Sequence, residues 1–196
     1  MLTIICIAMQ KISNYLTENL IAFLSVFFAA YIMVLFGEFE IAVGTYFYLP
    51  LGAKILMYLL FGFRVLPGVL LACIGTGVVL FNSWNDHLLL GSMAACAGAL
   101  APIIAMWVMR ITQMCNFSNL KNIDFRHVIF LIAFTSVISA LLKFFIYMQS
   151  ITMNINAVDF ITHYITGDVL GSLLVIYLVL KLLIPLLTRL LRPSSA

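Results

Sequence analysis

Long runs of hydrophobic residues, separated by short polar stretches, organise this chain. The runs cover about residues 19–36, 49–64, 67–81, 88–109, 127–147 and 164–186. They are continuous rather than alternating, which favours helices over a β-barrel, since backbone groups in lipid must be paired within the protein. About 20 apolar residues span a bilayer as a helix. The pattern therefore predicts an all-α, polytopic integral membrane helical bundle of about six transmembrane helices.

Composition indicates that lipid is the solvent for most of the chain. Of the 196 residues, 65% are hydrophobic and only 9% are charged, whereas about 25% are charged in soluble domains. We expect a single transmembrane domain over residues 1–192, in contact with membrane lipids, and a disordered tail at 193–196. Residues 1–9 precede Lys11 instead of following a basic segment, so they predict an interfacial lead-in rather than a cleaved signal peptide.

Basic residues set the expected orientation. Cytoplasmic loops carry an excess of Lys and Arg. With Lys11 inside, most other basic residues fall at inner helix ends or in inner loops: Arg64, Arg110, Lys121, Arg126, Lys181, Arg189 and Arg192. Both termini are therefore predicted to be cytoplasmic. Lys54 and Lys143 are the exceptions, because both fall towards the outer side.

The two exceptional lysines share their predicted depth with a carboxylate. Asp168 follows the start of the last run, within residues 164–172. A charge in lipid costs about 2.5–3.5 kcal/mol, so the three groups are expected to offset one another. One positive charge remains over. The candidates to offset it are a small anionic or polar ligand and the outer-side carboxylates Glu38, Glu40 and Asp159.

Two predicted helix starts lie at the same depth as the three charged residues and complete the candidate ligand-binding site. Pro50 and Gly52 open the second run, and Gly167 directly precedes Asp168. Free N–H groups at helix N-termini favour anions. Helices opened by Pro beside a cavity are a recurrent way to build membrane binding sites. The candidate ligand-binding residues are Lys54, Lys143, Asp168, Pro50, Gly52 and Gly167.

Simpler interpretations compete with a binding site. Either lysine can extend to the outer headgroups, and Asp168 near a helix start can offset the helix dipole. Gly167 and Gly171 form a small-xxx-small pair, which is typical of a helix-packing face. Tyr48 is most simply part of an outer aromatic belt. The fourth run is rich in small residues, including Gly98, so we expect it centrally in the bundle.

Motifs for catalysis and for cofactors are absent from the sequence. It contains no Gly-x-Ser-x-Gly turn, no His-Glu-x-x-His and no phosphate-binding Gly loop. The four cysteines lie singly, without zinc spacing, and are expected to be buried hydrophobes. We expect no enzyme activity, no metal and no cofactor. Basic residues are too few for a nucleic-acid partner.

Two segments resemble a known family. The first joins the Pro50-Leu51-Gly52 helix start to the corner Gly62-Phe63-Arg64-Val65-Leu66-Pro67-Gly68, and the second is Gly167-Asp168-Val169-Leu170-Gly171. Their order and spacing resemble the first class of membrane-associated sensor domains, the MASE family. That family carries a Pro-x-Gly helix start, a Gly-x-Arg-x-x-Pro-Gly corner one helix later, and a Gly-Asp-x-x-Gly helix near its end. In this pattern the structural motif residues are Arg64, Pro67, Gly68 and Gly171.

The resemblance implies an integral-membrane sensory module of the bacterial inner (cytoplasmic) membrane, with several membrane passes. Such modules usually precede a histidine kinase, diguanylate cyclase or phosphodiesterase domain. This chain departs from the pattern because it ends soon after its last run and is shorter than relatives with more spans. We expect a stand-alone relative or an excised input domain. A kinase, cyclase or transporter is then the expected separate or removed partner.

Three functions remain open from the sequence. The first is a sensory or ligand-binding module with an outward-facing polar site at Lys54, Lys143 and Asp168, which relays binding through the inner end of the last helix. The second is a small-molecule transport component, such as the substrate-binding membrane subunit of an energised transporter. The third is a scaffold without a small ligand, in which the three charges engage only each other or face lipid.

Overall fold

A computed structural model of the protein describes residues 2–36, 47–80, 88–114, 124–149, 156–179 and 181. These residues contain α-helices and one 3-10 turn, Gly62–Val65, and no strand lies among them. The helices are α1 (Leu2–Phe36), α2 (Leu49–Phe61), α3 (Leu66–Val79), α4 (Leu88–Ile111), α5 (Phe125–Met148) and α6 (Ala157–Leu178). The prediction of an all-helical protein is therefore confirmed.

Five helical segments of the described ranges are long and apolar enough to cross a membrane. They are Gln10–Leu35, Leu49–Val79, Leu89–Ile111, Phe125–Met148 and Ala157–Leu178, with mean hydropathies from 1.4 to 2.3. The second segment contains both α2 and α3. These lengths and compositions are those of a multi-pass membrane protein.

The chain turns sharply between α2 and α3. Gly62 has a φ of +69°, which lies in the left-handed region that glycine adopts without steric cost. After the turn, Gly68 lies against Asn19 and Gly75 near Phe23, both in α1. The turn therefore places α3 beside α1.

Asn19 of α1 holds this corner in place. Its side-chain nitrogen donates to the Arg64 carbonyl oxygen at 3.2 Å, and its side-chain oxygen accepts from the Gly68 N–H at 2.8 Å. A Cβ on Gly68 would lie 2.3 Å from the Asn19 carbonyl oxygen, so this approach requires glycine. Arg64 and Pro67 are exposed, whereas Gly68 is buried. The corner motif thus has a structural role at the end of α2 remote from Tyr48.

The helices pack in a closed ring. Going round it, α1 contacts α3, α3 contacts α4, α4 contacts α5, α5 contacts α6, α6 contacts α2, and α2 contacts α1. α2 also contacts α4 across the ring. The small residues of α4 make this close packing possible, and several of them are buried: Ala94, Ala97, Ala99, Ala101 and Ala105.

Two helices begin earlier than the hydrophobic pattern predicts. α1 is helical from Leu2, where the sequence predicted a lead-in up to residue 9. α6 begins at Ala157, seven residues before the predicted start. Asn156 caps α6 by accepting a hydrogen bond from the Val158 N–H at 3.2 Å, and Asn is among the residues preferred at this position. A count of apolar residues misses this start because the first turns of α6 are partly polar.

Some predictions concern residues outside the described ranges. These are the partner carboxylates Glu38 and Glu40, the end of the last run near residue 186, the basic residues Lys121, Arg189 and Arg192, and the tail at 193–196.

Replacing Gly68 with Ala should lower the free energy of unfolding by about 1–3 kcal/mol, because the new methyl group has no room against the Asn19 backbone. Gly75→Ala in the same helix is the matched control, since its Cβ would meet nothing closer than 3.8 Å. Unfolding of both purified variants in detergent measures the difference. Equal stability of the two variants would contradict the clamp at Asn19.

Candidate functional site

Lys54, Lys143 and Asp168 meet inside the bundle, where α2, α5 and α6 bring them together. Their side chains are only 2%, 7% and 0% exposed. Asp168 lies close enough to both amines for its charge to interact with theirs. Neither lysine extends to the surface, so the headgroup interpretation does not describe this structure. The charged groups that the sequence placed at one depth are neighbours.

α4 provides an acceptor for one of these lysines and lies against both. Lys54 Nζ donates to the Gly98 carbonyl oxygen at 3.2 Å. Pro102 has no N–H, so the carbonyl four residues earlier, that of Gly98, lacks its usual helical donor. A Cβ on Gly98 would lie 3.4 Å from Lys54 Nζ and 3.7 Å from Lys143 Cε, which are ordinary van der Waals contacts. Gly98 therefore binds one amine and lies close to both lysine side chains.

Aromatic rings face the two amines. Lys143 Nζ lies 4.8 Å from the ring centroid of Tyr48 and 4.8 Å from that of Tyr164. Lys54 Nζ lies 5.5 Å from the Tyr48 centroid. Ring faces attract a cation at such distances. Tyr48, which the sequence assigned to an outer aromatic belt, thus contacts both amines within the bundle.

The start of α2 packs closely against α6 at Gly52 and Gly171. The Tyr48 N–H donates to the Gly167 carbonyl oxygen at 2.9 Å. A Cβ on Gly171 would lie 2.5 Å from the Tyr48 backbone, and one on Gly52 would lie 2.8 Å from the Ser172 Cα. Gly167 and Gly171 are therefore a packing face, as their spacing predicts, and the segment packed there includes Tyr48 just before its helix. Pro50 follows in the first turn of α2 and is buried.

The N-terminus of α2 lies deep in the bundle. Tyr48 is beside Gly167, about 15 Å along α6 from its start at Ala157. α2 itself has 13 residues and is about 20 Å long. Together these lengths come to about 35 Å, a little more than a hydrocarbon core of about 30 Å. The positive end of the α2 dipole thus lies beside the two amines.

Hydroxyl groups on α5 and α6 extend the site. Thr135, Ser139 and Lys143 recur at every fourth residue of α5, and Tyr164, Asp168 and Ser172 do so on α6. Residues four apart share a helix face. The two faces run antiparallel, with Lys143 against Tyr164 and Ser139 beside Asp168. We call these six residues the polar seam.

The polar seam contains five buried atoms without a hydrogen-bond partner among the residues that the structure describes. They are both carboxylate oxygens of Asp168 and the hydroxyl oxygens of Thr135, Ser139 and Ser172. Ser139 stands near the carboxylate, but no hydrogen bond of normal geometry joins them. Leaving a buried polar group unpaired costs about 1–3 kcal/mol. Such a group in a native protein commonly marks ordered water, an ion or a ligand.

Asp168 is not in the first turns of its helix, and the prediction that it lies there is wrong. It is eleven residues from the start of α6 at Ala157, whereas the dipole effect of a helix falls off within its first turn. The early start of α6 therefore removes the interpretation of Asp168 as a dipole partner. Asp159, which does lie in that first turn, is exposed and separate from the polar seam.

Sequence reasoning missed several neighbours of the three charges. The hydroxyls of Ser139 and Ser172 lie four residues from Lys143 and Asp168 respectively, which is a helical spacing that could have identified them. The spacing from Gly98 to Pro102 carried a signal too, since it predicts a free carbonyl. Nothing local to Tyr48 indicated its contact with the amines, because that contact depends on where α2 begins.

Comparison of the chain with protein-family models, curated proteins and solved structures found no match. The resemblance to membrane-associated sensor domains stays a prediction from the motifs.

Replacing Tyr48 with Leu should lower the free energy of unfolding by about 1–2 kcal/mol, because both buried amines lose an aromatic face. Tyr48→Phe keeps the ring and should retain the stability. Tyr177→Leu is the matched control, since its ring lies 5.2 Å from the exposed amine of Lys181. Chemical or thermal unfolding in detergent compares the variants. A loss in Tyr177→Leu as large as that in Tyr48→Leu would refute the special role of Tyr48.

Proposed function

We propose that this protein is an integral-membrane sensory or ligand-binding module, whose site at Lys54, Lys143 and Asp168 takes a small anionic or polar ligand from the outer side. The observation that carries the proposal is the convergence of three charged side chains with five unpartnered polar atoms in the bundle interior. Ionisable residues within membrane spans are costly and commonly mark ligand or ion sites. A scaffold would be more stable with apolar residues there.

The helix directions support six crossings with both termini cytoplasmic. Gly68 lies beside Asn19 and Gly75 beside Phe23, so α3 runs in the same direction as α1. Tyr48 lies beside Gly167, and Gly52 beside Ser172 and Val175, so α2 runs in the same direction as α6. Alternating directions of this kind are expected if α2 and α3 are separate crossings. In this topology the corner at Arg64 is cytoplasmic, consistent with the excess of basic residues on that side.

A cysteine placed at Arg64 tests this topology. In a chain whose native cysteines are replaced by Ser, Arg64→Cys should react with a membrane-impermeant maleimide only when the cytoplasmic side is accessible. The reason is that the exposed corner at Arg64 lies on the cytoplasmic side in the proposed topology. Inside-out vesicles and intact cells provide the two sides. Labelling of intact cells would overturn the proposed orientation or the crossing of α2.

α6 is the proposed route by which binding is relayed. It contributes Asp168 to the site, and Gly167 and Gly171 hold the Tyr48 backbone against it. If α6 has two arrangements in the bundle, a ligand that pairs better with the amines in one of them shifts the equilibrium towards that arrangement. The described end of α6, near Lys181, faces the cytoplasm in the proposed topology. A kinase or cyclase partner, as the motif resemblance implies, would receive the change there.

The alternative function, a small-molecule transport component, has one specific observation in its favour. The N-terminus of α2 lies within the bundle beside charged side chains. Discontinuous helices whose ends meet a substrate near the bilayer midplane are common in secondary transporters. Both functions require the same binding site, and they differ in whether the ligand crosses.

A ligand panel tests the proposed binding function. Acetate, phosphate, succinate, glycine, aspartate and glucose are added separately to the purified protein in detergent, and thermal unfolding is followed. At least one compound at saturation should raise the midpoint by about 3 °C or more, since a ligand that binds the folded state stabilises it. Lys143→Met should abolish this rise, because it removes a buried amine from the site.

Lys181→Met is the matched control for this panel, since it removes an exposed amine that also contacts a tyrosine ring. It should respond as the unmodified protein does. A compound that binds is then tested for uptake into proteoliposomes, where accumulation favours transport and its absence favours sensing. No midpoint shift with any compound, or a shift that Lys143→Met retains, would contradict the binding site.

A further inference from the structure

Among the residues that the structure describes, the charges of the site are not balanced. Two buried amines face one buried carboxylate, and the N-terminus of α2 adds a partial positive charge of about half an elementary charge. We propose that the site holds one compact monovalent anion, a halide or a monocarboxylate group, between Lys54, Lys143 and the hydroxyls of the polar seam. This inference names the ligand class of the proposed function and rests on it.

The contacts of the lysines leave donors for an anion. An ammonium has three N–H donors. Lys54 Nζ uses one of them on the Gly98 carbonyl oxygen, and Lys143 Nζ lies over two ring faces. Neither amine donates to Asp168, whose oxygens accept no hydrogen bond. Both amines therefore keep N–H donors that are not bonded to the carboxylate.

Hydroxyls supply further donors at the same place. Ser139 and Ser172 belong to the facing sides of α5 and α6 in the polar seam, and neither hydroxyl has a hydrogen-bond partner in the described part of the chain. A hydroxyl can donate one hydrogen bond, and an anion between the helices would accept it. An anion would also balance the formal charges of the three side chains, which lowers the cost of burying them.

Enclosure limits the size of the ligand. Lys54, Lys143, Asp168 and Ser172 are each more than nine-tenths buried. A Cβ on Gly98 would already be in van der Waals contact with Lys54 Nζ, at 3.4 Å, so α4 packs directly against the amines. Such a closed setting suits a halide or a single carboxylate group better than a long dianion.

Within the described residues, two other ways to balance the charge make different predictions. A ligand with an ammonium group would use Asp168 as its partner, but it would meet two amines for one carboxylate. Loss of a proton from one lysine would need no ligand at all. The two ring faces around Lys143 favour its charged form instead.

Equilibrium binding of radioactive chloride to the purified full chain in detergent tests the proposal, with gluconate holding the ionic strength constant. One saturable site is expected, and acetate should compete for it. Lys143→Met should weaken binding by about tenfold or more, and Lys181→Met should leave it unchanged. Asp168→Asn should tighten binding by about tenfold or more, because it removes a neighbouring negative charge.

The Asp168 variant separates the ligand classes. Tighter binding of chloride supports the anion. Absence of chloride and acetate binding to the unmodified protein overturns it, and so does equal weakening by Lys143→Met and Lys181→Met. If chloride fails but glycine stabilises the protein through Asp168, the anion is wrong and the ligand-binding function stands. If the whole ligand panel fails as well, both proposals fall.

Folding of the variants does not limit this test. The unmodified protein alone decides whether chloride binds and acetate competes. Ser139→Ala removes one donor with a small change in volume, and it should weaken chloride binding by about threefold or more, in line with the loss of one hydrogen bond. An unchanged affinity in Ser139→Ala would show that the anion does not bind to the hydroxyls of the polar seam, contrary to the proposal.

Discussion

The cost of charge in a lipid-embedded interior governs this structure. Lys54, Lys143 and Asp168 are nearly or completely buried, and each would be expensive to bury alone. They are placed where each reduces the cost of the others: the carboxylate lies near both amines, and two tyrosine rings and a helix carbonyl surround the positive groups. The packing of α2, α4, α5 and α6 has to preserve this arrangement.

Glycine and proline make the arrangement sterically possible. Gly171 and Gly52 bring the start of α2 against α6, which places Tyr48 between the lysines. Pro102 leaves the Gly98 carbonyl without a helical donor, and Lys54 provides one. At the other end of α2, Asn19 and Gly68 fix the corner that leads into α3. The family-like motifs are therefore largely the places where backbones approach closely, and the charged side chains are positioned by them.

The sequence predicted the helical class and the proximity of the three charges, and the two predictions had different physical bases. Continuous apolar runs predict membrane helices because lipid permits few other structures. The proximity of Lys54, Lys143 and Asp168 came from the orientation expected from loop charge, which locates depth but not which face of a helix a residue occupies. The start of α6 was missed because its first turns are polar and Asn156 caps it. The role of Tyr48 depends on long-range packing and could not be predicted locally.

The central claim is that the buried charges act as one coupled unit, and a double-mutant cycle between Lys143 and Asp168 tests it most directly. Free energies of unfolding would be measured for Lys143→Met, Asp168→Asn and the double variant in the same detergent and salt. Coupling predicts that Asp168→Asn is strongly destabilising because it leaves two amines uncompensated. It also predicts that adding Lys143→Met recovers about 1–3 kcal/mol. Additive effects within about 0.5 kcal/mol would show that the two groups are independent and would contradict the account.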